Sequence, residues 1–342
     1  MNLDSTTDIL KVDKNGFFKT LSQFYGQLSE GQILAARVSY PAFDPKNIVA
    51  IGMGGSALGP DLIHAVFKLN VPFEVVKNYR LPGYVNSHTL VIIMSYSGNT
   101  EESISAFHEA HEMHAKVVVA TSGGKLENMA KNHGDGVLKL PAGLQPRMSI
   151  GYTTAHLLGL LSHYKLLNEE VDLLSVGDFL KLESMQWEPE VPKSKNIAKK
   201  LAEKLVHKIP VFYAPAELKL AAEKMKIGFN ENAKHIAFWN YFPELNHNEM
   251  TGWQFPEAYK PCIVLLKTEL GLVRNNKRLL ITKEILAKET TVLEIEAKGQ
   301  NLLEQTLYLL LLGDYVSGYV GVLHGIDPTP VDLVDDFKKR LG

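Results

Sequence analysis

Residues 47–59 read NIVAIGMGGSALG, an apolar run followed by a glycine-rich turn and the start of a helical pattern. Residues 90–102 read LVIIMSYSGNTEE and repeat this arrangement with hydroxyl groups in the turn. Short runs that are apolar on both faces, when helices join them, are typical of parallel strands covered on each side. The two segments therefore predict an α/β fold with a mostly parallel sheet.

The alternation of apolar runs and helical patterns continues along the chain. The predicted strands are 47–53, 73–79, 90–95, 116–121, 137–140, 210–215, 235–239, 262–267 and 291–297. The predicted helices are about 57–67, 100–114, 126–132, 150–167, 217–230 and a long one from 301. A polar, proline-containing stretch with one or two helical turns interrupts the alternation and predicts a linker. The predicted division is an N-terminal domain (1–168), a linker (169–196) and a C-terminal domain (197–342).

The composition argues against several classes of protein. The formal net charge is -2 and basic residues do not cluster, so we expect no nucleic-acid partner. The N-terminal sequence lacks the basic and apolar regions of a secretion signal, which predicts a cytoplasmic protein. The most apolar stretch, 302–323, contains Glu304 and Asp314, so we predict a buried helix and not a membrane span. The single cysteine, Cys262, lies in an apolar run and is predicted to belong to the core.

The first turn contains Gly54, Gly55 and Ser56, between a predicted strand and a predicted helix. Glycines let the backbone approach a ligand closely, and the unpaired amides at a helix start attract an anion. A dinucleotide site is the competing hypothesis, because the turn also fits the loose pattern G-x-G-x-x-A. The next strand ends in Lys77 and Asn78 instead of an acid that would bind a ribose, which weighs against it. A tight turn without a ligand is the third interpretation.

The second turn contains Ser95, Ser97 and Thr100 just before a predicted helix. Three hydroxyl groups and the amides of a helix start suit a phosphate monoester. The chain has no G-x-x-x-x-G-K-[ST] pattern, which argues against nucleoside triphosphates. The alternative is that Asn99 or Thr100 only caps the helix. Turns that follow neighbouring parallel strands share one crevice, so we expect both turns to contribute to one site.

These two motifs together resemble the sugar isomerase (SIS) domain. Three later segments narrow the resemblance to the bifunctional phosphoglucose/phosphomannose isomerase family: PRMSIGY (146–152), FNENAKHIAFWNYFPELNHNEMTGW (229–253) and DPTPVDLVDDFKKRL (327–341). The resemblance implies two SIS-type, flavodoxin-like αβα sandwich domains. It also implies reversible aldose–ketose isomerisation of hexose 6-phosphates through a cis-enediolate, without a cofactor.

The resemblance further assigns roles to single residues. It implies phosphate binding by Ser56, Ser95, Ser97 and Thr100, beside Gly54 and Gly55. It implies that Glu231 is the base that moves the proton and that Arg147 stabilises the enediolate oxygen. It assigns ring opening of the sugar to His247 and Lys338, with Lys339 as the alternative lysine.

The family resemblance implies a homodimer in which His247 comes from the second subunit, so that a monomer would be inactive. Three other histidines, His108, His111 and His114, have spacings that predict a solvated helix face, and we expect no catalytic metal. Two competing functions remain: a non-catalytic SIS module that senses a sugar phosphate, and a different SIS enzyme. A sensor would need the two phosphate turns but not the four catalytic candidates.

Overall fold

The computed structural model describes residues 1–40, 42–256 and 259–341. The chain forms two compact units: Phe24–Asp178, and Met1–Gln23 together with Phe179–Gly342. Each unit contains one parallel sheet, so we call them the β1–β5 unit and the β6–β9 unit.

The bounds of the regular elements follow the chain order. The helices are α1 Thr6–Val12, α2 Phe17–Ser22, α3 Phe24–Ala35, α4 Leu58–Val66, α5 Glu101–Glu112, α6 Gly124–His133, α7 Ile150–His163, α8 Leu173–Ser184, α9 Ile197–Leu205, α10 Lys219–Glu231, α11 Val273–Leu286, α12 Leu302–Leu323 and α13 Asp332–Leu341. The strands are β1 Asn47–Gly52, β2 Phe73–Val76, β3 Thr89–Met94, β4 Lys116–Thr121, β5 Gly136–Lys139, β6 Ile209–Pro215, β7 Phe238–Phe242, β8 Pro261–Lys267 and β9 Thr291–Glu296.

The sheet of the β1–β5 unit has the strand order β2-β1-β3-β4-β5, and its paired strands are parallel. This is the flavodoxin-like order, in which the direction of winding reverses between β1 and β3. Both faces of β1 and β3 are buried, as expected for runs of Val, Ile and Leu under two helical layers. On one face, Phe107 of α5 and Leu126 of α6 pack against Val91 and Val117. Ligands of such sheets bind beyond the carboxyl ends of the strands at this reversal.

The sheet of the β6–β9 unit has the order β7-β6-β8-β9, and its paired strands are also parallel. This order matches the first four strands of the other sheet, β2-β1-β3-β4, when β6 to β9 are compared with β1 to β4. Successive residues of β6 point to opposite faces. On one face, Tyr213 packs with Leu245, Trp253 and residues of α11. On the other face, the ring of Phe212 lies 5.2 Å from that of Phe229 in α10. We call these the Tyr213 face and the Phe212 face.

The prediction of an α/β fold with mostly parallel sheets is confirmed. The predicted strand 235–239 is misplaced, because β7 begins at Phe238 and not at residue 235. Residues before it form a turn instead, in which Lys234 has φ 51° and the His235 amide donates to the Phe229 carbonyl. Helices α9 and α11 were not predicted.

The compact units differ from the predicted division into 1–168, 169–196 and 197–342 in two respects. The predicted linker contains α8, a helix of 12 residues. The N-terminal 23 residues group with the C-terminal half of the chain. Their aromatic side chains explain this grouping, because Phe18 stacks on Tyr319 of α12 with ring centroids 4.6 Å apart.

Helix α12 is long and apolar enough to cross a membrane by length and composition alone. Of its most apolar window, 94% is buried inside the protein, which is the property of a core helix. The Cys262 side chain is also buried, and this burial raises the pKa of its thiol to about 11. Both observations agree with the sequence-based predictions for these segments.

Candidate active site

The two predicted turns lie at the same edge of the β1–β5 sheet. The first turn is a 3-10 helix, Gly54–Ala57, which follows β1, and Ser95 directly follows β3. Because β1 and β3 are neighbouring parallel strands, both turns lie at the carboxyl edge where the winding reverses. The amide of Tyr96 donates to the hydroxyl of Ser56 at 3.1 Å and connects them directly.

The second turn arranges its hydroxyl groups by internal hydrogen bonds. The Ser95 hydroxyl is buried, lies 2.9 Å from that of Thr100, and accepts the Gly98 amide at 3.1 Å. The Ser97 hydroxyl accepts the amide of Asn99 at 3.2 Å, and Ser97 itself is exposed. Gly98 has φ 67°, and a Cβ there would lie 1.8 Å from the Gly123 carbonyl oxygen. Only glycine fits this position, because the turn packs closely against the Gly123 backbone that follows β4.

The capping interpretation of this turn is not what the structure shows. Thr100 occupies the N-cap position of α5, yet within the described residues its side chain makes no capping hydrogen bond. Its hydroxyl pairs with that of Ser95 instead. The side-chain oxygen of Asn99 accepts the amide of Lys125, which follows β4. Both side chains therefore organise the turn, and the start of α5 keeps its tendency to attract an anion.

Arg147 lies against the first turn and not on the surface. It belongs to the 3-10 helix Pro146–Met148 and is 1% exposed. A Cβ on Gly55 would lie 2.4 Å from the Arg147 backbone nitrogen, so the two backbones are in close contact. Its guanidinium Nη1 lies 3.5 Å from the Gln145 side-chain oxygen. A buried arginine whose backbone contacts the first turn provides a positive charge close to that turn, which suits an anionic ligand.

Tyr96 supports the loop that carries this arginine. Its hydroxyl donates to the Pro141 carbonyl at 2.7 Å and accepts the Leu144 amide at 2.9 Å. Burial raises the pKa of Tyr96, so the hydroxyl stays protonated and keeps its donor role. The second turn therefore helps to fix the approach to Arg147. This role of Tyr96 was not predicted from the sequence, although the sequence does show an aromatic residue between Ser95 and Ser97 of the second turn.

Glu231 is the last residue of α10 and is half-buried. The turn that follows it is fixed by side chains. Lys234 donates to the backbone carbonyls of Asp327 at 2.9 Å and Pro328 at 3.3 Å. The His235 ring lies 3.0 Å from the His324 ring, nitrogen to nitrogen. The segment after the carboxylate is thus tied to the residues that precede α13.

His247 is exposed and ends the 3-10 helix Glu244–His247. Its neighbours anchor it on both sides. The Asn246 amide donates to the Thr282 hydroxyl of α11 at 2.9 Å, and Glu249 accepts hydrogen bonds from Tyr213 and Asn240. Burial, together with the Glu249 carboxylate, raises the pKa of Tyr213 and keeps it a donor. Sequence reasoning singled out only the histidine of this segment and missed its anchors.

Glu231 and His247 lie on opposite sides of their own sheet. Glu231 follows Phe229, whose ring packs on the Phe212 face. His247 follows Leu245, which is buried in the core of the Tyr213 face. The sheet of the β6–β9 unit therefore separates the two side chains within one subunit.

The predicted lysines lie in α13, in which every residue from Asp332 to Leu341 is exposed. Lys338 and Lys339 are both basic residues of its last turn. The chain is helical up to Leu341, so both lysines lie on the same short helix. The geometry does not favour one lysine over the other.

The three histidines of α5 differ from the prediction of a wholly solvated face. His108 and His114 are exposed, but His111 lies 2.9 Å from the Asp135 carboxylate and 4.2 Å, ring to ring, from His133. The helix face is therefore partly covered by α6 and the turn that follows it. In residues 1–40, 42–256 and 259–341, no group of three or more His, Cys, Asp or Glu side chains is arranged to hold a metal ion.

Residues 194–341 match the family model described as bacterial phospho-glucose isomerase C-terminal SIS domain. A protein from Caldicellulosiruptor bescii named bifunctional phosphoglucose/phosphomannose isomerase is 39% identical over 313 residues, which cover 89% of this chain and 92% of the relative. A protein of the same name from Aquifex aeolicus is 35% identical over 331 residues, which cover 95% and 98%.

A solved structure of a glucose-6-phosphate isomerase like protein from Thermus thermophilus has a TM-score of 0.66 and covers 99% of both chains. Its sequence identity of 21% makes this a likeness of fold. The sequence relatives carry more weight, because they exceed 30% identity over almost their whole lengths. Together with the SIS-type strand order, they establish that this chain belongs to the family of bifunctional phosphoglucose/phosphomannose isomerases.

Proposed function

We propose that this protein interconverts fructose 6-phosphate with glucose 6-phosphate and mannose 6-phosphate. The observation that carries the proposal is the glycine-rich first turn and the hydroxyl-rich second turn at one sheet edge. They are joined from Tyr96 to Ser56 at 3.1 Å, and buried Arg147 lies against the first turn. Membership of the isomerase family supports the same substrate class. The proposal requires no redox cofactor, because the hydrogen removed from one carbon returns to its neighbour.

In this proposal the phosphate group binds to the two turns. Hydroxyl groups donate to its oxygens, and the backbone amides of the first turn and of α5 add further donors. The proposed phosphate-binding residues are Gly54, Gly55, Ser56, Ser95, Ser97 and Thr100. The positions of the buried Ser95 and the half-buried Thr100 support this assignment, since their hydroxyl groups lie 2.9 Å apart and can contact one group together.

The proposed base is Glu231. Its carboxylate removes the proton from the carbon beside the carbonyl, which leaves a cis-enediolate, and returns that proton to the neighbouring carbon. Arg147 stabilises the developing negative charge on the oxygen. His247 and Lys338 move the proton between ring oxygen and anomeric hydroxyl when the sugar ring opens.

We further propose that the active protein is a homodimer with shared active sites. Glu231 and His247 follow segments that pack on opposite faces of the sheet of their own unit, which favours sites in which the two residues come from different subunits. The exposure of His247 supports this, because an outward-facing side chain is available to a partner.

The test is to incubate the protein with fructose 6-phosphate and to quantify glucose 6-phosphate and mannose 6-phosphate separately. We expect turnover by the wild-type protein and almost none by Glu231→Gln, with the binding of 6-phosphogluconate largely retained in the variant. Binding without turnover in the wild-type protein would instead identify a sugar-phosphate sensor. Equal loss of binding in Glu231→Gln would give that residue a structural role.

A further inference from the structure

A cluster of polar side chains is buried in the otherwise apolar contact between α10 and α12. Asp314 lies in the middle of α12 and is 7% exposed. Its carboxylate forms an ion pair with Lys224 of α10, whose residue exposure is 1%. The sequence already indicates this unusual buried charge, because Asp314 interrupts the most apolar run of the chain.

The cluster extends to the residue that follows Glu231. The side-chain amide of Asn232 lies 3.2 Å from the Asp314 carboxylate and 2.9 Å from the Ser317 hydroxyl. Ser317 in turn donates to the Gly313 carbonyl at 2.8 Å. Asn232 is the C-cap residue of α10, and its backbone amide donates to the Gly228 carbonyl at 2.7 Å. We name Lys224, Asn232, Asp314 and Ser317 the α10–α12 polar cluster.

Stability alone does not account for this cluster. Burying an ion pair carries a desolvation cost, and replacing such a pair with apolar side chains of similar volume is often neutral or stabilising. A fully hydrogen-bonded buried network does, however, fix the relative position of the elements that it joins. Here the elements are α12 and the last turn of α10, which ends at Glu231.

The side chains of the cluster are too deeply buried to reach a substrate. Asn232 and Lys224 are each 1% exposed, whereas Glu231 is half-buried. The backbone of Glu231 is therefore fixed by Asn232 on its C-terminal side and by the helix on its N-terminal side. A displacement of about 1 Å at a reacting group can lower a rate by about 10²-fold.

We propose that the α10–α12 polar cluster is a positioning device that sets the orientation of the Glu231 carboxylate. This inference rests on the proposed function, in which Glu231 is the base. Its four members are positioning residues, since they act through Glu231 and not on the sugar. Removing one of them should lower kcat with little change in KM, because the phosphate turns belong to the other unit.

The experiment compares Asn232→Ala and Lys224→Met with the matched control Lys199→Met. Lys199 is also a buried lysine of the β6–β9 unit that approaches α12, with its Nζ 5.6 Å from the centre of the Tyr319 ring. Its Nζ donates to the Pro189 and Val191 carbonyls at 2.7 and 2.8 Å, so its loss also disturbs buried hydrogen bonds. Asn232→Ala keeps the ion pair and provides the test if Lys224→Met fails to fold.

We expect kcat to fall at least about tenfold in Asn232→Ala. KM for fructose 6-phosphate and the affinity for 6-phosphogluconate should stay within about twofold, and Lys199→Met should keep kcat within about twofold of wild type. If Glu231→Gln is inactive but Asn232→Ala keeps the kcat of the control, the positioning role is overturned. If Glu231→Gln itself turns over normally, the proposed base is wrong, whatever the cluster variants do.

Discussion

Mixing two inactive variants should restore activity if one subunit supplies Glu231 and the other supplies His247. The prediction starts from the sheet that separates the two side chains within a subunit. In the proposed dimer, each single variant, Glu231→Gln or His247→Ala, lacks one of the proposed catalytic groups in both of its sites. Loss of a general acid or base lowers a rate by about 10²- to 10⁴-fold, so both parents should be nearly inactive.

The size of the recovery follows from the symmetry of a dimer with two equivalent sites. Random exchange of equal amounts gives about half heterodimers, and each heterodimer has one doubly altered site and one intact site. About one quarter of all sites are then intact, so the mixture should reach about one quarter of the wild-type specific activity. The assay is the formation of glucose 6-phosphate from fructose 6-phosphate after subunit exchange, with heterodimers counted by native mass spectrometry.

Two controls make the result decisive. Each parent variant taken through the same exchange alone should gain no activity. Heterodimers that form in the expected amount without any recovery would show that Glu231 and His247 act from the same chain. A wild-type protein that is active as a monomer would refute the shared site as well.

Two further predictions concern the β1–β5 unit. Ser95→Ala should lower kcat/KM for fructose 6-phosphate by about 10- to 150-fold, because a hydrogen bond to a charged group contributes about 1.5–3 kcal/mol. The control Ser103→Ala removes a buried hydroxyl of α5 that donates to the Met94 carbonyl at 3.4 Å, and it should change kcat/KM little. Equal effects of the two variants in steady-state kinetics would contradict the phosphate assignment. Glu127→Gln should lower the thermal midpoint at pH 7 by about 1–3 °C. Hydrogen bonds from Lys131 and Lys139 lower the pKa of Glu127 below its ordinary value of 4.5. The stabilisation that Glu127 gives is therefore complete above pH 4.5 and is lost as the pH falls through the lowered pKa. If calorimetry at acid pH still showed a lower thermal midpoint for Glu127→Gln than for wild type, these ion pairs would not be the source of the stabilisation.

The strands and turns that form the proposed phosphate site could be predicted because their signals are local. A buried run followed by glycine or serine and then a helix start is contained within about a dozen residues, as in 47–59 and 90–102. The helix starting near residue 57 and the strand at 90 were predicted to within a residue or two. The start of β7 was missed because residues 235–237 are largely apolar, whereas pairing with β6 begins only at Phe238 opposite Val211.

The three-dimensional relations of the catalytic candidates could not be predicted. The burial of Arg147 depends on the contact of its backbone with Gly55, which lies far away in the sequence. The separation of Glu231 and His247 depends on which face of β6 each neighbouring segment covers. The polar cluster depends on the pairing of α10 with α12, and only Asp314 gave a visible signal in the sequence. Such relations arise from packing between distant segments, which local patterns do not encode.

The close contact of Gly98 with Gly123 in the second turn has a consequence for protein engineering. A side chain at position 98 would collide with the Gly123 carbonyl, so a library that varies this position would yield mainly misfolded members. The adjacent Ser97 is exposed and tolerates larger side chains in terms of space. Attempts to adapt the protein to sugars with bulkier anionic groups should therefore begin at position 97 and leave position 98 unchanged.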